Sequence, residues 1–305
     1  MSSEALPAHI EADEALSAVW QCMNTIAPLS LADTSWDNVG VLLQAPEPSK
    51  NTGRKIFLAN DLTTQVADEI LGDGQVAVAI IYHPIIFRGL KTITLADSQQ
   101  RTLLRLAASN ISVYCPHTSL DAAVGGINDW LALVVAGYNS SSMSVRPAQP
   151  SKPASVPAGH EGAGMGRIVT LKEPIKGSEL IARVKTGTSI DHLQVALPSH
   201  TGYRTIQEGL DSKHIGTIAV CAGSGSSVIG GVEADAYVTG EMSHHEVLAA
   251  VAKGRLVILT HHSNSERGYL RTVLPDRLQT ELARLGKTDF VVAVSTADAD
   301  PLVTV

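Results

Sequence analysis

Two short apolar runs constrain the fold of this chain more than anything else in it: KIFLAN from Lys55 and VAVAII from Val76. Neither alternates apolar with polar residues, so each reads as a strand covered on both faces. Between them Thr63 or Thr64 offers a helix cap, and the helical stretch ends near Gly72. A strand, a helix and a second strand in that order make a βαβ unit. Such a unit demands a parallel sheet with helices on its faces.

The same alternation runs through most of the chain. An amphipathic helix is expected over Ile10–Ile26 and another over Ser98–Ser109. ISVYC from Ile111 reads as a strand and INDWLALVV from Ile127 as a helix. After a change of composition, RIVTL from Arg167, LQVAL from Leu193, IGTIAVC from Ile215, AYVTG from Ala236, LVILT from Leu256 and DFVVAV near the end read as strands. Helices are expected over Ser178–Lys185, over Ser243–Lys253 and from about Ser265. The segment 138–164 is rich in serine, proline, alanine and glycine and has no apolar period, so it reads as a loop or flexible linker.

Composition agrees with an α/β core built from aliphatic side chains: 44% of residues are hydrophobic and only 4% aromatic. The net charge of -7 argues against a nucleic-acid partner, which would need a basic face. Cys22, Cys115 and Cys221 form no CxxC pair and are too few for a disulfide framework, so a reducing compartment is expected. Glu4, Glu11, Asp13 and Glu14 precede the first lysine or arginine, unlike a mitochondrial presequence. No apolar run reaches the roughly 20 residues of a membrane span. A soluble, cytoplasmic protein is the expectation, with nuclear or mitochondrial placement as alternatives.

Residues able to bind metal collect after the strands. His83 follows VAVAII, His117 and Asp121 follow ISVYC, Glu241, His244 and His245 follow AYVTG, and His262 and Glu266 follow LVILT. Open α/β sheets bind ligands beyond the carboxyl ends of their strands. His83, Asp121, His262 and Glu266 mix imidazole with carboxylate, a set suited to zinc, manganese, iron, cobalt or nickel rather than calcium. Each also has a structural alternative. Ser263 and Glu266 spell the S-x-x-E capping box of an ordinary helix start. His83 and Asp121 could serve only as hydrogen-bonding turn residues, as could Asp37 and Asn38. GSGSS at Gly223–Ser227 lacks the ending of a phosphate-binding P-loop.

The ordered series WDNVG (Trp36–Gly40), YHPIIF (Tyr82–Phe87), HTSLDAAVGGIND (His117–Asp129), GAGMGR (Gly162–Arg167), CAGSG (Cys221–Gly225), TGEMSHHE (Thr239–Glu246) and HHSNSERG (His261–Gly268) resembles the NIF3-like family. The resemblance covers about Trp36 to Arg267. It implies mainly parallel sheets flanked by helices in two similar α/β halves. The halves are expected as a metal-binding core of 1–137 with 236–305 and a second portion over 166–235, joined by a linker at 138–165. It further implies a toroidal homohexamer with two divalent metal ions.

Under that resemblance His83 and Asp121 bind one ion, His262 binds the other and Glu266 bridges them. His117, Glu241, His244 and His245 then fall near the cavity, with His117 or His245 as proton carrier. Many members carry two adjacent histidines where this chain has Tyr82 and His83. A phenol is a poor ligand, so the second position is expected to bind weakly. Two functions are implied: a metal-dependent hydrolase acting on a small phosphorylated or nucleotide-like substrate, or a regulatory hexamer that binds protein partners. Relatives are also labelled as homologues of a GTP cyclohydrolase, a reaction the resemblance does not establish.

Overall fold

The computed structural model describes residues 6–152, 156–198 and 202–304. Glu4 and residues 153–155 of the expected linker lie outside them. The chain divides into two compact units. The first takes the chain up to Ala123 and again over Tyr269–Ala299, and the second includes His160–Gly268.

In the first unit, α1 (Glu14–Ile26) begins where Asp13 accepts a hydrogen bond from Leu16 N at 2.9 Å. That bond satisfies an amide with no partner inside the helix. The chain then forms β1 (Gly40–Leu43), β2 (Lys55–Ala59), α2 (Thr64–Asp73) and β3 (Val76–Ile81). Thr63 caps α2, and Gly74 ends it in the left-handed conformation at φ +67°. All six residues of β3 are buried, which explains its unbroken apolar run. Next come α3 (Ser98–Ala108), β4 (Ser112–Cys115) and α4 (His117–Ala122). Val66, Ile70, Leu103 and Leu106 of α2 and α3 pack on Phe57, Ala79, Ile81 and Val113 of the sheet. Full burial of one such aliphatic side chain is worth about 1.5–3 kcal/mol.

In the second unit, α5 (Ile127–Val135) is followed by β5 (Met143–Pro150), β6 (Gly164–Lys176), α6 (Gly177–Thr188), β7 (Gln194–Ala196) and α7 (Ile206–Ser212). β8 (His214–Ser224), α8 (Ser226–Ile229), β9 (Ala236–Glu241), α9 (His244–Ala252) and β10 (Leu256–Leu259) complete its sheet. The strand order is β5-β6-β8-β9-β10-β7. Only β8, β9 and β10 run parallel, and the three outer pairings are antiparallel. β9 and β10, expected from sequence with the N-terminal core, therefore pair in the second sheet.

β5 corrects the expectation of a linker over 138–165. It pairs antiparallel with β6 from Met143 opposite Leu171 to Pro150 opposite Gly164. An edge strand bonds on one side only, so Pro147 and Pro150 are tolerated there without amide hydrogens. Its half-exposed, proline-bearing sequence carries no apolar alternation to reveal it.

Within α10 (Arg267–Thr272) the chain passes back to the first unit, where α11 (Leu274–Arg284) and β11 (Val291–Val294) follow. β11 pairs parallel with β2 and completes a sheet of order β1-β4-β3-β2-β11, parallel except for β1. Among the described residues no helix is long and apolar enough to cross a membrane.

Candidate metal centre

In the first unit, three neighbouring strands deliver polar side chains past their carboxyl ends. β2 leads into Asn60 and Asp61, β3 into Tyr82 and His83, and β4 into His117 at the start of α4. His83 N donates to Asn60 O at 2.9 Å, so the two strand exits stay in step. Asp61 Oδ1 lies 2.9 Å from His83 Nδ1, nearer than Asn60 Nδ2 at 3.2 Å. The charged acceptor determines the tautomer: Nδ1 carries the proton and Nε2 becomes the ring's donor atom for a metal. Asp61 is held in turn by Asp298, whose carboxylate accepts from Asn60 N at 3.0 Å and Asp61 N at 3.4 Å.

His117 is oriented in the same way. Its Nδ1 donates to Asp37 Oδ1 at 2.6 Å, and the other Asp37 oxygen accepts from Thr118 Oγ1 and Thr118 N. Burial pushes the Asp37 carboxyl up, but the hydrogen bonds from His117 and Thr118 outweigh it and hold the group below the usual range. Asp37 was expected to hold a turn. It does accept from Asn38 N at 2.8 Å, yet its main partners lie 80 residues away on α4. The His83 and His117 rings stand 5.6 Å apart, centre to centre.

Tyr82 is buried, and its hydroxyl donates to Asp121 Oδ1 at 2.6 Å. In this position it orients the Asp121 carboxylate. Asp121 belongs to α4 rather than to a turn, and Ser119 of the same short helix donates from Oγ to Pro116 O at 2.6 Å.

In the second unit, β8, β9 and β10 deliver Gly223, Glu241 and His262 at one sheet edge. Glu241 Oε1 lies 2.9 Å from His262 Nδ1, so this ring too has its proton fixed by a carboxylate. His262 Nε2 then stands 3.6 Å from Glu266 Oε1, beyond hydrogen-bond reach. Glu266 is 1% exposed. Ser265 fixes the turn between them, donating to His262 O at 2.6 Å and accepting from Gly223 N at 2.7 Å. Gly223 has φ +63°, and a Cβ there would lie 2.8 Å from Glu266 Oε1 and 3.1 Å from His262 Nε2. The space over both donor atoms exists because residue 223 has no side chain.

The capping box that Ser263 and Glu266 spell, the structural alternative for this stretch, is not formed. Ser263 Oγ donates to Asp300 Oδ2 at 2.6 Å and accepts from Arg267 Nη1, and no side chain caps the turn it begins. The same S-x-x-E pattern does form a capping box at Ser243 and Glu246, at the start of α9. His244 and His245 sit exposed in the first turn of that helix, their rings 5.4 Å apart. Sequence reasoning missed Asp61, although it stands past a strand end like the other candidates. That rule applied to β2 would have found it.

The donors suit a transition metal: imidazole nitrogens with fixed tautomers, carboxylates held by neighbours, and room beside two donor atoms kept open by a glycine. The family description Duf34/NIF3 (NGG1p interacting factor 3) matches residues 15–301. The chain is 50% identical over 274 residues to the protein NIF3 homolog of Schizosaccharomyces pombe, covering 90% of this chain and 92% of that one. It is 37% identical over 286 residues to NGG1-interacting factor 3 of Saccharomyces cerevisiae, again covering 90% and 92%. A solved Bacillus cereus protein related to NIF3 shares the fold with a TM-score of 0.72 at 20% identity, covering 95% of this chain and 99% of that one. The chain belongs to the Duf34/NIF3 family.

Proposed function

We propose that this protein is a divalent-metal hydrolase, with His83 and Asp121 of the first unit and His262 and Glu266 of the second as ligands to a pair of ions. The observation that carries this reading is the shared device in the two units: a histidine past a strand end whose Nδ1 proton is held by a carboxylate, Asp61 for His83 and Glu241 for His262. A divalent ion bound by such donors supplies Lewis acidity toward water and ester oxygens.

The chain's own groups would do the rest. Tyr82 steadies Asp121 and does not compete as a ligand, which leaves one position poorer in nitrogen than a paired-histidine site and supports unequal occupancy. His117, anchored by the low-lying carboxylate of Asp37, is the better-built proton carrier. His245 is exposed and, among the described residues, meets only the ring of its neighbour His244, so it is the weaker candidate. The substrate class is a small phosphate ester or nucleotide, acted on by a cytoplasmic homohexamer.

Elemental analysis of purified protein, followed by a screen of phosphoesters and nucleotides on parent and Glu266→Ala, tests the proposal. Metal and activity should both fall in the variant. Activity unchanged by Glu266→Ala would overturn it. A second reading, a regulatory assembly that binds protein partners, is favoured by the name of the budding-yeast relative, an NGG1-interacting factor. In that case metal would be retained and no phosphoester in the screen would be hydrolysed.

A further inference from the structure

Two half-exposed aromatic rings in the first unit have no role in holding metal. Trp36 is 51% exposed and Phe87 49% exposed, with ring centres 6.0 Å apart and planes tilted by 52°. Trp36 also meets the His117 ring edge-on at 5.8 Å, and His117 lies 5.6 Å from His83. The rings form a continuous path from the surface to the proposed ligand.

The path is held in place by polar bonds. The indole N–H donates to Asp33 Oδ2 at 3.0 Å, and Asp33 is fixed by Ser35 Oγ at 2.6 Å and by its own amide on Thr118 Oγ1 at 3.1 Å. Asp37, the next residue, anchors His117. Asn38, the residue after that, donates from Nδ2 to Ile86 O, tying the loop that carries Phe87 to the loop that carries Trp36. Three consecutive residues thus present one ring, orient a histidine and secure the second ring. A solvent-facing tryptophan needs no such bracing for stability. Bracing of this kind suits a face that must meet a flat partner at low ordering cost. Arg88 and Lys91, both exposed, follow Phe87 in sequence and bring positive charge to that segment of a chain with net charge -7.

We infer that Trp36 and Phe87 form a stacking platform for a planar heteroaromatic ring carrying an anionic group, the chemistry of a nucleotide. Stacking on an aromatic side chain is tolerant of the base, because every base has a π-face. His117 then lies one ring away from the stacked group. This inference rests on the proposed hydrolase reading for the reaction, but not for the binding.

Metal-stripped full-length protein therefore provides the test. Trp130 is buried and Trp20 partly buried, so the quenching assigned to Trp36 is the part that Trp36→Leu removes. Adenosine 5′-monophosphate and guanosine 5′-monophosphate should quench saturably, and ribose 5-phosphate, which has no aromatic ring, should not. By calorimetry Trp36→Leu and Phe87→Leu should each weaken nucleotide binding about 5-fold or more. Asn38→Ala, which leaves both rings in place, should weaken it by less. Equal binding of ribose 5-phosphate, or unchanged binding by Trp36→Leu, would overturn the inference. So would a change of oligomeric state in sedimentation of Trp36→Leu or Phe87→Leu, which would make this face a contact between copies. Metal content measured on the same samples keeps the two claims apart. Nucleotide binding by protein that never retains metal supports the platform and defeats the hydrolase; metal without nucleotide binding does the reverse.

Discussion

Substituting Gly223 by alanine should impair metal binding out of proportion to its cost in stability, and a second glycine separates the two effects. Gly223 and Gly74 have nearly the same positive φ, +63° and +67°. A β-carbon in that region costs about 1–2 kcal/mol at either position. At Gly74 the added methyl meets nothing within 4 Å, so the backbone term is the whole effect. At Gly223 it would stand 2.8 Å from Glu266 Oε1 and 3.1 Å from His262 Nε2. Glu266 is enclosed and cannot swing out, whereas the His262 side chain is 41% exposed and can. The ring should therefore turn away, breaking its bond to Glu241 and moving its donor atom. Disturbing the support of a ligating histidine typically costs about 10–100-fold in affinity. Zinc competition against a chromophoric chelator, with urea denaturation of the same samples, reads both quantities. Gly223→Ala and Gly74→Ala should lose similar stability, and only Gly223→Ala should lose zinc affinity. Equal zinc affinity in the two variants would refute the reasoning.

Three further outcomes follow from single contacts. Tyr82→Phe removes the hydroxyl that donates to buried Asp121 and should cost about 1–3 kcal/mol in urea denaturation, so an unchanged midpoint would contradict its orienting role. Burial pushes the Glu69 carboxyl up, but hydrogen bonds from Ser295, Thr296 and Ala297 pull it down to about 2 from 4.5. Its folded-state value is the lower one, so its contribution is present above pH 4.5 and is lost as pH falls toward about 2; Glu69→Gln should flatten stability over that window and leave the rest of the profile parallel. Arg167, 1% exposed, pairs with Asp129 and donates to Gly164 O and Gly166 O, so Arg167→Leu should cost about 3 kcal/mol or more by denaturant titration. A loss below about 1 kcal/mol would mean that Asp129 finds other partners at once.

The strands were legible because burial on both faces leaves an unbroken apolar run, as at β3, and the ligand candidates were legible because the ends of such strands are where polar residues converge. Of the antiparallel edge strands, β7 was read as LQVAL, but β1 and β5 were not. β5 and the short helix α7 carry little periodic signal, since one is half-exposed and proline-bearing and the other spans seven residues.

The site differs from its sequence reading in a consistent direction. Tyr82, read as a poor metal ligand, is a hydrogen-bond donor to Asp121, a proposed one; Asp37, read as a turn residue, anchors a histidine; Asp61, not singled out, fixes another. Sequence identifies groups able to bind metal, because that capacity belongs to the side chain alone. It does not identify the groups that orient them, because an aspartate that fixes a tautomer and one that closes a turn are the same residue until its partner, 80 positions away for Asp37, is known. The S-x-x-E pairs state the same limit within a single motif. Ser243 and Glu246 close a capping box, while Ser263 and Glu266 turn to Asp300 and toward His262. What separates them is the neighbourhood: one precedes an exposed helix, and the other lies in a buried turn beside a glycine that leaves room for something to bind. Alanine at that glycine is for this reason the most direct probe of whether the turn exists for a ligand.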